Sequence, residues 1–134
     1  MSTLNILQVG DVLDDIQLKP VDRLMLIKYA GASGDYNPIH TIDDEAKRAG
    51  LKGVIAHGMW TMGNLSKLFT SYFEEGFIQD YSVRFKGMVF LNDVITLKGE
   101  LTEKTGNQLH FLMKAVNQKD EDVISGEIVY HLYV

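Results

Sequence analysis

The sequence contains no cysteine, only two prolines and no long apolar run. Without cysteine, disulfides, thiolate nucleophiles and cysteine-ligated zinc sites are all excluded. A membrane-spanning helix needs about 20 consecutive apolar residues, and none is predicted here. The opening residues, MSTLNILQVGD, lack the basic and apolar regions of a secretion signal. We therefore expect a cytoplasmic protein that does not use a membrane as a partner.

Positive charge is also scarce, because 13 Lys and Arg residues stand against 18 Asp and Glu, a formal net charge of −5. The basic residues are scattered, whereas phosphate backbones are bound by clustered Lys and Arg. We expect no nucleic-acid partner. With 134 residues, of which 46% are hydrophobic and 23% charged, the composition is that of an ordinary globular protein. The length predicts one domain over residues 1–134.

The second half of the sequence alternates between apolar and polar residues, and a period of two predicts β-strands. The alternation covers residues 81–86, 93–103, 107–116 and 122–134, and a further strand is predicted at 12–19. Short turns at 104–106 and 117–121 predict that successive strands are antiparallel neighbours.

Helical patterns occupy the first half, at residues 21–32, 43–49 and 57 to about 75. The third pattern is apolar over so much of its circumference that the helix must be largely buried. A curved antiparallel sheet wrapped around this long central helix is the economical solution. The sequence therefore predicts an α+β protein of the hot-dog type.

One loop concentrates polar chemistry, since Asp35, Asn37, Pro38 and His40 all lie in the stretch GDYNPIH. Asp and Asn beside Gly and Pro are common turn residues, so the stretch on its own is consistent with a turn and nothing more. Pro38 nevertheless fixes a bend that could bring Asp35 and His40 to one spot. An imidazole beside a carboxylate makes a pair of proton carriers suited to adding water to a double bond.

The stretch AHGM at residues 56–59 opens the third predicted helix. A helix N-terminus presents unpaired N–H groups, and Gly58 would let a ligand approach them closely, which suits polarisation of a carbonyl. Close packing explains Gly58 equally well at this stage. We expect His57 to be structural rather than catalytic. No metal site is predicted, because His40 and His57 are far apart in sequence and lack an obvious third ligand.

Taken together, YAGASGDYNPIH and AHGMWTMG resemble the MaoC-like hot-dog family, which includes (R)-specific enoyl-CoA hydratases and (3R)-hydroxyacyl-ACP dehydratases. The similarity extends over essentially the whole chain, in length and in the order of elements. The family's hydratase signature is matched by Tyr29, Ser33, Gly34, Asp35, Asn37, Pro38, Ile39 and His40.

The resemblance implies roles for individual residues. Asp35 and His40 would be the catalytic pair, and the Gly58 N–H would bond the thioester carbonyl oxygen. Asn37 would hold the catalytic loop or a water, and Ser66 falls where some hydratases carry a serine near the active site. The implied substrates are thioesters of CoA or acyl carrier protein, without a cofactor or metal. A homodimer with the site at its interface is implied, although some relatives work only as heterodimers.

Several alternatives stay open at this level. A hot-dog thioesterase would act on the same class of substrate without needing the Asp-Asn-Pro-His loop, and a non-catalytic acyl-CoA-binding module would need neither Asp35 nor His40. Trp60, Met62 and residues 69–73 are candidates for limiting the acyl-chain length. Candidate contacts for carrier phosphates are Lys47, Arg48, Lys52, Arg84 and Lys86.

Overall fold

In the computed structural model, which describes residues 3–133, five strands form one antiparallel sheet. The strands are β1 (Ile16–Gln17), β2 (Gly76–Phe85), β3 (Thr96–Thr105), β4 (Gln108–Val116) and β5 (Asp122–Leu132). Their order across the sheet is β1-β3-β4-β5-β2. The four strands predicted from alternation are confirmed, although β2 begins before residue 81 and Val134 lies outside the described residues. The strand predicted at 12–19 is reduced to β1 and a single bridge from Val12 to Glu100.

The sheet buries one face, and the residues on it are those that alternation selects. The fully or almost fully buried members are Ile95, Leu97, Leu101, Leu109, Phe111, Met113, Ala115, Ile124, Ile128 and Tyr130. The connection between β3 and β4 turns at Gly106, with a φ of 59° that glycine adopts without strain. The helical elements cover this buried face, so the apolar sides of both layers form one core.

Three α-helices precede the long strands: α1 (Arg23–Ser33), α2 (Asp43–Arg48) and α3 (Gly58–Leu65). The predictions at 21–32 and 43–49 are confirmed. The Asp22 carboxylate accepts a hydrogen bond from the Met25 amide at 2.8 Å and so caps the start of α1. Gly34 ends α1 with a φ of 76°, a conformation that favours glycine. No helix within residues 3–133 is long and apolar enough to cross a membrane.

The long helix predicted over residues 57–75 is instead two segments, α3 and a 3₁₀ helix at Ser66–Tyr72. Two carbonyls of α3 are occupied by side-chain hydroxyls at the junction, since Tyr81 donates to Met62 and Ser66 donates to Gly63. In a continuous α-helix these carbonyls would accept from amides four residues later. The hydroxyl contacts coincide with the change to 3₁₀ winding, which a hydrophobic pattern does not reveal.

The prediction that residues 57–75 are largely buried is only partly correct. Thr61, Leu65 and Phe69 are buried, and the two segments pack on β3 and β4. Met59 and Phe73 are 57% and 70% exposed, so the apolar face extends beyond what one copy of the sheet covers.

Candidate active site

The loop after α1 is shaped by its own short polar side chains. The Asp35 amide donates to the Ser33 hydroxyl, the Asn37 amide donates to the Asp35 carboxylate, and the Ile39 amide donates to the Asn37 side chain, each at 3.2 Å. Such bonds replace regular secondary structure in a turn. The structure thus places Asn37 as the cap of the 3₁₀ helix at Pro38–His40, which holds the loop in shape.

The bend brings Asp35 and His40 together, as the sequence predicts. The His40 Nε2 lies 3.8 Å from the Asp35 Oδ2, and the imidazole is buried while the carboxylate side chain is half exposed. The His40 Nδ1 lies 2.7 Å from the Ile55 carbonyl oxygen, which can only accept a hydrogen bond. Nδ1 therefore carries the hydrogen, and in the neutral ring Nε2 presents its lone pair toward Asp35.

His57 is the third member of the cluster. Its ring stacks on His40 with centroids 3.7 Å apart and planes inclined by 22°, and Tyr29 meets it edge-on. The His57 Nε2 donates to the Asp35 main-chain carbonyl at 3.1 Å, whereas its Nδ1 is buried and has no hydrogen-bond partner among the described residues. Burial lowers the pKa of His57, although the bond to Asp35 opposes that shift.

The cluster corrects the sequence-based argument that His40 and His57 are too far apart, and lack a third ligand, to bind a metal. Ligand atoms of Asp35, His40 and His57 all lie within 4.8 Å of one another, so distance in sequence does not separate them. The ring geometry nevertheless suits a metal poorly. Imidazole binds a metal with a lone pair in the ring plane, and two stacked rings have nearly parallel planes that do not meet at one ion.

Gly58 is the first residue of α3, where N–H groups have no acceptor within the helix. It lines a cavity of about 170 Å³ together with Ile55, Thr61, Phe85 and Met88. A methyl group added at Gly58 would lie 2.9 Å from the Phe85 ring, so any larger residue here would have to displace that ring. The cavity adjoins the histidines, because the carbonyl of Ile55 accepts the His40 bond.

Ser66 lies apart from these groups. Its hydroxyl donates to the Gly63 carbonyl at 2.6 Å, and it lines a different cavity of about 510 Å³ with Phe69, Phe73 and Tyr130. Among the described residues, no hydrogen bond or shared cavity links Ser66 to Asp35, His40 or Gly58.

His57 is the residue whose contacts the sequence analysis missed, because it predicted only a structural role. No spacing rule links residue 57 to residues 35 and 40, which lie in a different element. The available signal was the position of His57 directly before the glycine that opens α3.

The sequence of residues 7–125 matches the model of the MaoC like domain, so the chain belongs to that family. A fatty acid synthase subunit beta from Aspergillus oryzae is 33% identical over 113 residues, which are 81% of this chain and 5% of the relative. The mitochondrial 3-hydroxyacyl-[acyl-carrier-protein] dehydratase of Arabidopsis thaliana is 26% identical over 95 residues, 71% of this chain and 56% of the relative. The chain thus spans from about a twentieth to just over half of the length of these two curated relatives.

The fold is shared with the R-hydratase PhaJ1 from Pseudomonas aeruginosa in its unliganded form. That structure has a TM-score of 0.86 and 26% identity, and the match covers 94% of this chain and 82% of the other. The ChsH1-ChsH2 complex from Mycobacterium tuberculosis also matches, with a TM-score of 0.84 over 94% of this chain and 98% of the other. At 20% identity this second match concerns the fold alone. The predicted α+β hot-dog fold is therefore confirmed.

Proposed function

We propose that this protein is a hydro-lyase that adds water reversibly to trans-2-enoyl thioesters and yields (3R)-hydroxyacyl thioesters in fatty-acid metabolism. The observation that carries the proposal is the pairing of the His40 Nε2 with the Asp35 Oδ2 at 3.8 Å. The hydrogen on His40 Nδ1 is committed to Ile55, so Nε2 is left as a proton acceptor. The R configuration is supported by similarity to a protein named as an R-hydratase.

In the proposed hydration step, His40 is the general base. Its Nε2 takes a proton from water while the water oxygen bonds to the β-carbon of the substrate. The electrons of the carbon–carbon double bond move toward the thioester carbonyl, and the α-carbon is then protonated. The proton that His40 took from water is returned to the α-carbon, either directly or through Asp35. The addition of water therefore consumes no further proton. Dehydration uses the same groups in reverse order.

The N-terminus of α3 would stabilise the negative charge that develops on the carbonyl oxygen. The Gly58 N–H is the proposed donor, supported by its first-turn position and the cavity beside it. One donor of this kind contributes roughly 3 kcal/mol to transition-state stabilisation. Neither Asn37 nor Ser66 is assigned a chemical step, because Asn37 caps the loop and Ser66 lines the other cavity.

The carrier would approach through a second, polar cavity next to Gly58. This cavity, of about 450 Å³, shares Gly87, Met88 and Val123 with the cavity at Gly58. Lys52 and Lys86 line it, and neither has an ion-pair partner among residues 3–133. We propose these two lysines, of the five basic candidates, as contacts for the phosphates of CoA or of a carrier-protein arm.

A second copy of the chain would complete the site. Phe85 and Met88 line the cavity at Gly58 and are 55% and 52% exposed, so one copy leaves it partly open. β2 is also an edge strand with one side unpaired. We propose a homodimer of single-domain chains, with a heterodimer as the alternative. Light scattering after gel filtration distinguishes a dimer from a monomer.

A cytoplasmic location stays a prediction.

The decisive experiment follows the loss of enoyl-thioester absorbance when the purified protein is mixed with crotonyl-CoA. We expect rapid loss with the wild type and rates at least about a hundredfold lower with Asp35→Asn and His40→Ala, since general acid–base groups contribute 10²–10⁴-fold. Chiral chromatography of the product tests the R configuration. An S product would contradict the stereochemical part of the proposal.

Release of free CoA separates hydration from the alternatives. A thioesterase would release thiol, which a thiol-reactive dye detects, and a binding module would bind crotonyl-CoA without consuming it. If the homodimer consumes neither crotonyl-CoA nor longer enoyl-CoA and carrier-protein substrates while retaining its fold, the proposed activity is wrong.

A further inference from the structure

His57 makes contacts that the proposed reaction does not yet use. Its side chain is 2% exposed, which is unusual for a polar group unless its bonding requirements are met. One nitrogen meets a carbonyl, and the other, Nδ1, is buried with no partner among the described residues. A buried acceptor without a partner costs about 1–3 kcal/mol.

The single bond that His57 makes acts on the loop carrying Asp35. Among residues 3–133, every other hydrogen bond of residues 34–37 joins neighbours no more than four residues apart. The His57 Nε2 bond to the Asp35 carbonyl, at 3.1 Å, is the one that ties this exposed loop to a distant element. Without it, the loop would be held only by its own short contacts.

The ring of His57 acts on the second reacting group. It covers one face of His40 at a centroid distance of 3.7 Å, and Tyr29 meets the His57 ring edge-on at a centroid distance of 4.8 Å. Through these contacts and the bond to the Asp35 carbonyl, the His57 side chain touches both members of the proposed catalytic pair, Asp35 and His40. The groups that face His57 are thus His40 from the 3₁₀ helix, the Asp35 loop and Tyr29 from α1.

We propose that His57 is a positioning residue for the hydration reaction, whose Nε2–H fixes the Asp35 main chain while its ring holds the imidazole of His40. This inference rests on the proposed function. His57 touches neither water nor substrate in this assignment and acts only through the geometry of Asp35 and His40. Burial lowers the pKa of His57, which favours the neutral form of the ring.

Two variants test separately the hydrogen bond from His57 to Asp35 and the packing of the His57 ring on His40. His57→Phe keeps an aromatic ring but loses the donor, and His57→Gln keeps an amide N–H in reach of Asp35 but loses the ring. We expect His57→Phe to lower kcat on crotonyl-CoA about tenfold or more, because small misplacements of reacting groups are costly, with KM within about threefold. His57→Gln should recover part of the lost kcat, because it restores the bond to Asp35 but not the ring that packs on His40.

His131→Phe is the matched control, since His131 also has a buried Nδ1 without a partner but lies on β5 away from the loop. We expect this variant to keep the wild-type kcat. A kcat within twofold of wild type for His57→Phe would overturn the proposal, as would equal losses in His57→Phe and His57→Gln.

A spectroscopic measurement tests the same inference without a variant and without turnover. Nitrogen-15 spectra of the histidine rings in the wild-type protein should show the hydrogen on Nε2 of His57 and on Nδ1 of His40. The opposite tautomer at His57 would remove its bond to Asp35 and overturn the proposal even if crotonyl-CoA is hydrated. The expected tautomers without any hydratase activity would leave the contacts correct and count against the proposed function instead.

Discussion

The two ends of the central segment, residues 58–72, differ in what surrounds them. The N-terminal end has a cavity of about 170 Å³ beside two stacked, buried histidines. The C-terminal end has a cavity of about 510 Å³, lined mainly by aromatic residues that include Phe69, Phe73 and Tyr130. Main-chain N–H groups without an acceptor inside the helix occur only at its N-terminus, so polar chemistry is favoured there. At the C-terminal end, the packing of the aromatic rings contributes to stability. The cavity that they line offers room for an apolar acyl chain.

The largest expected effect is on stability, at the C-terminal end. Phe69 is 3% exposed and packs on the rings of Tyr130 and Phe111 at 5.1 and 5.0 Å. We expect Phe69→Ala to lower the free energy of unfolding by about 3–5 kcal/mol, measured by urea denaturation. Phe73→Ala, at a 70% exposed position, is the control and should change it by less than about 0.5 kcal/mol. Similar losses in both variants would contradict this account of the packing.

At the N-terminal end the expected effect is on activity instead. Gly58→Ala places a methyl group 2.9 Å from the Phe85 ring and narrows the cavity at the proposed carbonyl site. We expect kcat/KM for crotonyl-CoA to fall about tenfold, equivalent to about 1.4 kcal/mol of transition-state stabilisation.

Gly63→Ala is the control on the same helix, because nothing lies within 4 Å of its added methyl group. It should keep activity and gain about 0.5–1 kcal/mol of stability from helix propensity. A Gly58→Ala protein with the wild-type kcat/KM would rule out the assignment of the small cavity as the carbonyl site.

A smaller effect is expected on the choice of acyl chain. Phe73 lines the apolar cavity, so removing its ring in Phe73→Ala should enlarge the space available. We expect the ratio of kcat/KM for octenoyl-CoA to that for crotonyl-CoA to rise a few-fold, about 1 kcal/mol for the added contacts. An unchanged ratio would show that the acyl chain does not reach this end.

The smallest effect concerns pH and returns to the N-terminal end. Burial holds the pKa of His57 below its ordinary value of 6.5. Below pH 6.5 the unfolded chain therefore binds more protons at this position than the folded chain, and the free energy of unfolding falls as the pH drops. We expect this loss, measured by urea denaturation between about pH 7.5 and 5, to be shallower in His57→Gln. Parallel curves for wild type and variant would argue against burial as the cause.

Prediction from sequence succeeds where local pattern and tertiary environment agree. The strands at 93–103, 107–116 and 122–134 alternate clearly, and every second residue along them, mostly apolar, lies on the buried face. It fails at residues 57–75, where the pattern is helical but the hydroxyls of Tyr81 and Ser66 occupy α3 carbonyls and the winding changes. One of these hydroxyls comes from Tyr81 of β2, the next element along the chain, and a hydrophobic pattern does not indicate that its side chain reaches back to the Met62 carbonyl.

The sequence by itself determined the fold class and the loop that joins Asp35 to His40. Pro38, Gly34 and the short polar side chains of that loop bend the chain through contacts between near neighbours. Only the tertiary structure decided that His57 lies on His40 and bonds Asp35, and that Ser66 faces the other cavity. The physical reason is that burial and ring stacking depend on which elements pack together, and that packing is a property of the whole chain.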